Sequence, residues 1–187
     1  AFSLNGAWVP LYNVHKTFAG LLDAWSGLSS IDPPTASMAR SCVVDLANWW
    51  CRLTATIDDA LFARILVSEF GGLCESFAEL YARTGNERYL DMAHRLTDSS
   101  VFDPLSHGVD ALTGQHANTQ IPKALGWQRI GALTHERRYA DAVETFWRSV
   151  ALGRSVSIGA HSVAEHFHDS ADFGPMVTSE QGPETCN

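Results

Sequence analysis

The residues of this chain best suited to chemistry gather in three places. Near one end stand Glu165-His166-Phe167-His168 and then Glu184-Thr185-Cys186. A carboxylate and a thiolate two residues apart can chelate one divalent cation, and sulfur among the donors favours zinc. Zinc takes four ligands and this pair supplies two. His161, His166 and His168 are close enough in sequence to add to a shell, or they form no more than a polar loop. The second place is Gly114-Gln115-His116-Ala117-Asn118-Thr119-Gln120-Ile121-Pro122-Lys123, where six polar residues crowd the start of a helix. Helix N-termini present unpaired N–H groups and the positive dipole end, which suit hydroxyl or anionic atoms. The simpler alternative is an ordinary cap made by Asn118 or Thr119. The third place is Val9-Pro10-Leu11-Tyr12-Asn13-Val14-His15-Lys16, with His15 one turn into a helix, where a purely structural histidine is the competing explanation.

Helices must position these groups. Val14, Phe18, Leu21, Leu22 and Trp25 recur at steps of three and four, predicting an amphipathic helix over 12–28. Pro33-Pro34 reads as the end of a loop, and a second helix is expected over 36–53. Asp58 and Asp59 are candidate caps for a short helix with Leu61, Ile65 and Leu66. Gly71-Gly72 breaks the chain before the next helix, which Gly85 closes as a C-cap. Leu80 to Thr84 with Glu87 to Asp91 then matches Ile130 to Thr134 with Arg137 to Asp141, an offset of 50 from Thr84 to Thr134 and from Tyr89 to Tyr139. Such a period with two helices per unit predicts stacked hairpins, open as a solenoid or closed as a toroid. The expected pairs are 12–28 with 36–53, 72–84 with 87–98, and 118–134 with 136–150. Ser155-Val156-Ser157-Ile158-Gly159 is the one fair strand candidate, so the fold class is all-α.

Composition narrows the function. At 187 residues, 45% hydrophobic and 18% charged, the chain can bury the core of one domain. Thirteen Lys and Arg against 21 Asp and Glu leave a net charge of −8, and no basic stripe exists to displace the counterions of nucleic acid. No apolar run is long enough to span a membrane. Four cysteines are too few for a disulfide scaffold, and Cys42, Cys51 and Cys74 are expected as small buried hydrophobes. The abrupt ends at Ala1 and Asn187 suggest a partial domain, 1–187, cut at both ends.

Several of these segments together resemble a known family. Val9 to Lys16 followed by Phe18-Ala19-Gly20-Leu21-Leu22-Asp23-Ala24 is similar to the opening of the catalytic domain of the β-L-arabinofuranosidase family, glycoside hydrolase family 127 and its relatives. So are Glu69-Phe70-Gly71-Gly72-Leu73-Cys74-Glu75, Leu80-Tyr81 with Thr84 to Leu90, His116 to Lys123, and Glu184-Thr185-Cys186-Asn187, in the family's order across nearly the whole chain. The resemblance implies part of an (α/α)6 toroid of helical hairpins and a retaining glycosidase that uses zinc and a cysteine nucleophile in place of the second carboxylate. It places Glu184 and Cys186 on the zinc and makes Glu165 the general acid/base, with His166 where an arginine is common. The remaining zinc cysteines, the nucleophile among them, lie downstream of Asn187 in the family, so the fragment alone is expected to be inactive.

A carbohydrate substrate would stack on aromatic faces and share its hydroxyls with His15, Glu69, His116 and Gln120, which are expected to face one cavity. Glu165 is expected to rest against Phe167, where partial burial would help it hold a proton. Neither nucleic acid nor membrane is an expected partner, while a homodimer and the cellular compartment stay open. Two other classes compete: a non-catalytic helical-repeat module that binds carbohydrate or protein, and a metal-independent toroid enzyme acting on sugars. A paired cysteine beyond Asn187 would separate the zinc glycosidase from both.

Overall fold

A computed structural model describes residues 9–185. Of these, 66% are helical and none forms a strand. The chain divides into two compact units, Ala1–Asp98 and Ser99–Asn187.

In the first unit, α1 (Pro10–Leu28) packs against α2 (Pro33–Thr54) and α4 (Leu73–Thr84), and α4 packs against α5 (Glu87–Arg95). The short α3 (Asp59–Ile65) links the two hairpins. Helix α2 starts three residues before the expected Ala36, because proline is well tolerated at a first helical position, where its missing N–H costs nothing. Asp32 caps it, accepting the Thr35 N–H at 3.2 Å. Asp58 caps α3 through the Leu61 N–H at 2.8 Å, and Gly85 closes α4 at φ +69°. The core is aromatic: the Phe77 ring lies 5.1 Å from Phe18 and 6.2 Å from Tyr89, all three almost completely buried. Cys51 and Cys74 are buried as expected, but Cys42 is exposed. It falls on the outward stripe of α2 with the exposed Met38, Trp49 and Leu53.

The second unit joins α6 (Ser99–Ser106), α7 (Ala117–Thr134) and α8 (Arg137–Trp147), with α8 packed on both partners. Its core sets Phe102 between Trp127, at 5.3 Å, and Tyr139, at 4.8 Å. All three predicted hairpins are thus present, as α1/α2, α4/α5 and α7/α8. The 50-residue repeat holds down to its turns. Thr84 and Thr134 each accept the backbone N–H two residues on, at 3.3 and 3.2 Å. Gly85 and His135 follow in the left-handed conformation, and Tyr89 and Tyr139 are buried one turn later.

After α8 a π-helical turn, Arg148–Leu152, leads into an irregular segment that contains only the short α9 (Gly174–Thr178). The expected strand at Ser155–Gly159 is a turn: Val156 donates to Ala160 at 2.9 Å and Gly159 back to Val156 at 2.8 Å, with Gly159 at φ +83°. Alternating side chains over five residues cannot make a strand without a partner to complete the ladder.

One fully buried side chain fastens this segment. Arg154 donates from Nε to the His168 carbonyl at 2.7 Å, from Nη1 to Asp110 Oδ2 at 2.7 Å, and from Nη2 to Thr113 Oγ1 at 2.9 Å. Asp110 is about a third exposed, but Arg154 is fully buried, and hydrogen bonds made by a charged group are worth about 1.5–3 kcal/mol each. Arg154→Met should therefore lower the unfolding free energy by about 3 kcal/mol, read as a drop in urea midpoint at constant slope. A loss below about 1 kcal/mol would show that Arg154 is not the fastening.

Candidate active site

The start of α7 is capped by neither Asn118 nor Thr119 but by His116. Its Nδ1 accepts the Thr119 N–H at 3.2 Å and lies 2.8 Å from the Thr119 hydroxyl. Gln120, one turn in, is buried; its amide donates to Gln115 Oε1 at 3.4 Å, and its own Oε1 has no partner among the described residues.

The segment 161–167 lies across this helix start. Ala117 donates to the Glu165 carbonyl at 2.8 Å and Phe167 to the Gln115 carbonyl at 2.9 Å. Val163 and His166 exchange hydrogen bonds at 2.9 and 3.0 Å, closing a two-residue turn with Ala164 and Glu165 at its tip. Both tip residues have positive φ, +47° and +64°, the signature of a type I′ turn that normally selects Asn and Gly. Ser162 is also left-handed, at +73°. Non-glycine residues held this way cost on the order of 1 kcal/mol or more each, and they persist where surroundings force them.

The forcing contacts come from 181–184. Gln181 accepts the Ala164 N–H at 2.8 Å, and both carboxylate oxygens of Glu184 stand 3.1 Å from the Glu165 N–H. His161 and Glu184 pair backbone to backbone at 3.0 and 2.8 Å. Gly182 approaches so closely that an added Cβ would sit 2.8 Å from the Ser162 carbonyl, which excludes any side chain there.

The carboxylates of Glu165 and Glu184 thus stand on one hydrogen-bonded hairpin. With Glu180 and Gln181 they line an open cleft of about 640 Å³. Oε2 of Glu165 faces His116 Nε2 at 3.4 Å, and the His166 ring meets the His116 ring edge-on at 5.4 Å. Phe167 does not cover Glu165. It is buried against His161 and Phe146, whereas the Glu165 side chain is 62% exposed, because Glu165 sits at the tip of the left-handed turn and Phe167 lies past it, on backbone tied to Gln115.

The metal side is only partly described. Glu184 lines the cleft, while Cys186 lies outside the described residues. Among the described residues no three His, Cys, Asp or Glu side chains are grouped to hold a metal ion. His161 Nδ1 is 2.7 Å from Ser162 Oγ and His166 Nδ1 bonds the Ala164 carbonyl, while both ring nitrogens of His168 are buried without a hydrogen-bond partner among the described residues. His161 and His168 are both buried, and that burial, reinforced by neighbouring cationic groups, pushes each below the usual imidazole range. A carboxylate such as that of Glu184 is a common zinc ligand and would supply one of the four the metal takes.

The first unit contributes His15 separately. The ring is buried on α1 and lies flat against Gly71-Gly72, where a Cβ on Gly71 would come within 2.3 Å of Nδ1. It borders a cleft of about 340 Å³ shared with Asp23, Glu75, Ser76, Glu79 and Arg83. Its Nδ1 has no partner among the described residues. Glu69 sits half-buried in the loop before Gly71 and is not part of that lining. Sequence reasoning named Thr119 only as a possible cap, whereas it is the residue that the His116 cap receives, three positions on. It missed Arg154, which carries no motif.

Burial, with a smaller push from Lys16, lowers the His15 pKa to about 4. A histidine depressed in the folded state stays neutral there while its unfolded counterpart gains a proton. Stability is therefore full above pH 6.5 and falls as pH drops from 6.5 toward 4. His15→Asn should flatten that part of the stability–pH curve, measured as urea midpoints in steps across it. An unchanged slope would mean that the ring is not held neutral.

Comparison with known proteins was made on the whole chain. No curated protein matches it. A family model described as "Beta-L-arabinofuranosidase, GH127 catalytic domain" matches residues 1–187.

Proposed function

The chain belongs to the β-L-arabinofuranosidase GH127 catalytic-domain family of glycoside hydrolases, and from that premise we propose that it contributes to a retaining glycosidase dependent on zinc and a cysteine nucleophile. Glu165 is the general acid/base. Glu184 and Cys186 hold the metal, and His15, Glu69, His116 and Gln120 bind the sugar. The substrate class is a glycan ending in β-L-arabinofuranosyl or a similar residue.

The observation that carries this proposal is the joint placement of Glu165 and Glu184. They are 19 residues apart in sequence, yet the backbone N–H of one donates to the carboxylate of the other. Bound zinc would supply acidification, turning a coordinated thiol into a thiolate near neutral pH. Glu165 protonates the departing glycosidic oxygen as the cysteine thiolate attacks the anomeric carbon. It then takes a proton from the water that releases the sugar. Its exposed carboxylate on the open cleft leaves room for both steps. Gln120 Oε1 and His15 Nδ1, buried and without partners among the described residues, are acceptors of the kind sugar hydroxyls satisfy. In the family the attacking cysteine follows Asn187, so these 187 residues alone are expected to turn nothing over.

The two acidic roles separate by mutation. In the full-length protein Glu165→Gln should cut kcat by roughly 10²–10⁴-fold toward a substrate with a poor leaving group, with zinc content unchanged. Cys186→Ala should lower bound zinc and turnover together, followed by metal analysis. Near wild-type activity in Glu165→Gln would remove Glu165 from the acid/base role. Full zinc in Cys186→Ala would remove Cys186 from the metal.

A further inference from the structure

We propose that Thr119 is a positioning residue for the acid/base carboxylate. Its backbone N–H and hydroxyl hold Nδ1 of His116 as an acceptor, so the proton of the neutral ring resides on Nε2, the nitrogen beside Oε2 of Glu165. This inference rests on the acid/base role given to Glu165.

The assignment follows from what each atom can do. A backbone N–H only donates, and Thr119 N lies 3.2 Å from His116 Nδ1. The N–H is shared with the His116 carbonyl, also at 3.2 Å, but its contact with Nδ1 favours a lone pair there, to which the Thr119 hydroxyl, 2.8 Å away, then donates as well. Nε2 carries the N–H and faces Glu165 Oε2 at 3.4 Å. Capping alone needs one acceptor for one orphan N–H. The hydroxyl adds nothing to that task, but it adds a second donor that disfavours the Nδ1–H tautomer. Ring and carboxylate are also held in register by the backbone, since Ala117, next to His116, donates to the Glu165 carbonyl at 2.8 Å. Thr119 is 9% exposed, so water competes little for its hydroxyl.

The consequence is directional. With a donor set on Oε2, the acidic proton of Glu165 resides on Oε1. In the first half-reaction that proton passes from Oε1 to the leaving oxygen. In the second, water returns one to Oε1. Throughout, Nε2–H stays on His116. A rotated or wrong-tautomer ring would present a lone pair to Oε2 and draw the proton away from the leaving group.

The experiment has one arm free of turnover and one that uses it. In protein labelled with 15N-histidine, the nitrogen shifts of neutral His116 should show the Nε2–H form. The Nδ1–H form as the major species would overturn the proposal. In the full-length protein Thr119→Val should lower kcat by roughly 5–20-fold with KM within about twofold, the scale of one lost hydrogen bond felt in the transition state. Thr119→Ser should restore it. An unchanged kcat in Thr119→Val, a loss confined to KM, or no rescue by Ser would each overturn the proposal. A merely structural cap would lower melting temperature in Thr119→Val without this kcat-only signature. Failure of the acid/base assignment itself shows separately, as wild-type activity in Glu165→Gln. If Thr119→Val does not fold, the tautomer in the unaltered protein still decides.

Discussion

The second unit depends on a buried guanidinium. Arg154 has no exposed surface, and its fixed fork of donors reaches three separate stretches of chain: the Asp110–Thr113 loop, the π-helical turn at Ser149, and His168 in the irregular segment. Two of those stretches are irregular and the third is a single π-helical turn, so none could bury itself by helical periodicity. Burial on its own would raise the Asp110 carboxyl, but hydrogen bonds from Arg154 and Ser149 and the Leu112 N–H outweigh it and hold it below the usual range. The pair is thus compensated at both ends, the condition under which a buried charge is tolerable at all. An Arg suits this place where a Lys would not, because only a planar fork satisfies acceptors in several directions at once. The cleft residues depend on it, since His168 is three residues from Glu165 on the same segment.

Upon that fastening sits a strained turn. Ala164 and Glu165 adopt a backbone that intrinsic preference would give to Asn and Gly. Replacing Glu165 by glycine would relieve the backbone and abolish the carboxylate, so the strain marks where side-chain chemistry outweighs local ease. What opposes the strain can be named: the Gln181 carbonyl, the Glu184 carboxylate, the Ala117 N–H, and the close seat that Gly182 provides. The first three are polar contacts rather than apolar packing. The hairpin is therefore fixed by directional bonds, which set orientation more sharply than non-directional burial does.

The parts of this architecture legible in the sequence are those governed by local rules. Helical periodicity, the Asp58 cap and the Gly85 stop rest on residues within a few positions of each other, and the offset of 50 repeats one such local pattern in a second hairpin. Each is met in the fold. The misreadings share the opposite character. Cys42 looked like core because its neighbours are apolar, yet α2 has an outward stripe that includes Met38, Trp49 and Leu53. Ser155–Gly159 alternated like a strand but had no partner strand. Phe167 was set beside Glu165 by proximity, although it turns inward to His161 and Phe146. The site itself was legible as residue types: His116, Glu165 and Glu184 were named from motifs and do converge. Their connections were not, because the Arg154–Asp110 pair spans 44 residues and carries no spacing rule.

That convergence combines two features in Glu184. As an acceptor for the Glu165 N–H it restrains the turn from outside, and its carboxylate brings a negative charge to the cleft. A neutral amide in its place would keep an oxygen for the N–H and lose the charge, while an alanine would lose both, so restraint and charge are separable in principle though one side chain supplies them. The economy has a structural reason. The His161–Glu184 backbone pair has already brought this stretch of chain to the tip of the turn, so a side chain at position 184 reaches the Glu165 amide without further reorganisation. His116 works the same way from the other flank: its ring caps a helix through one nitrogen and faces the carboxylate with the other. Glu165 is thus gripped at its backbone by Glu184 and met at its side chain by His116, leaving Oε1 as the atom that remains for chemistry.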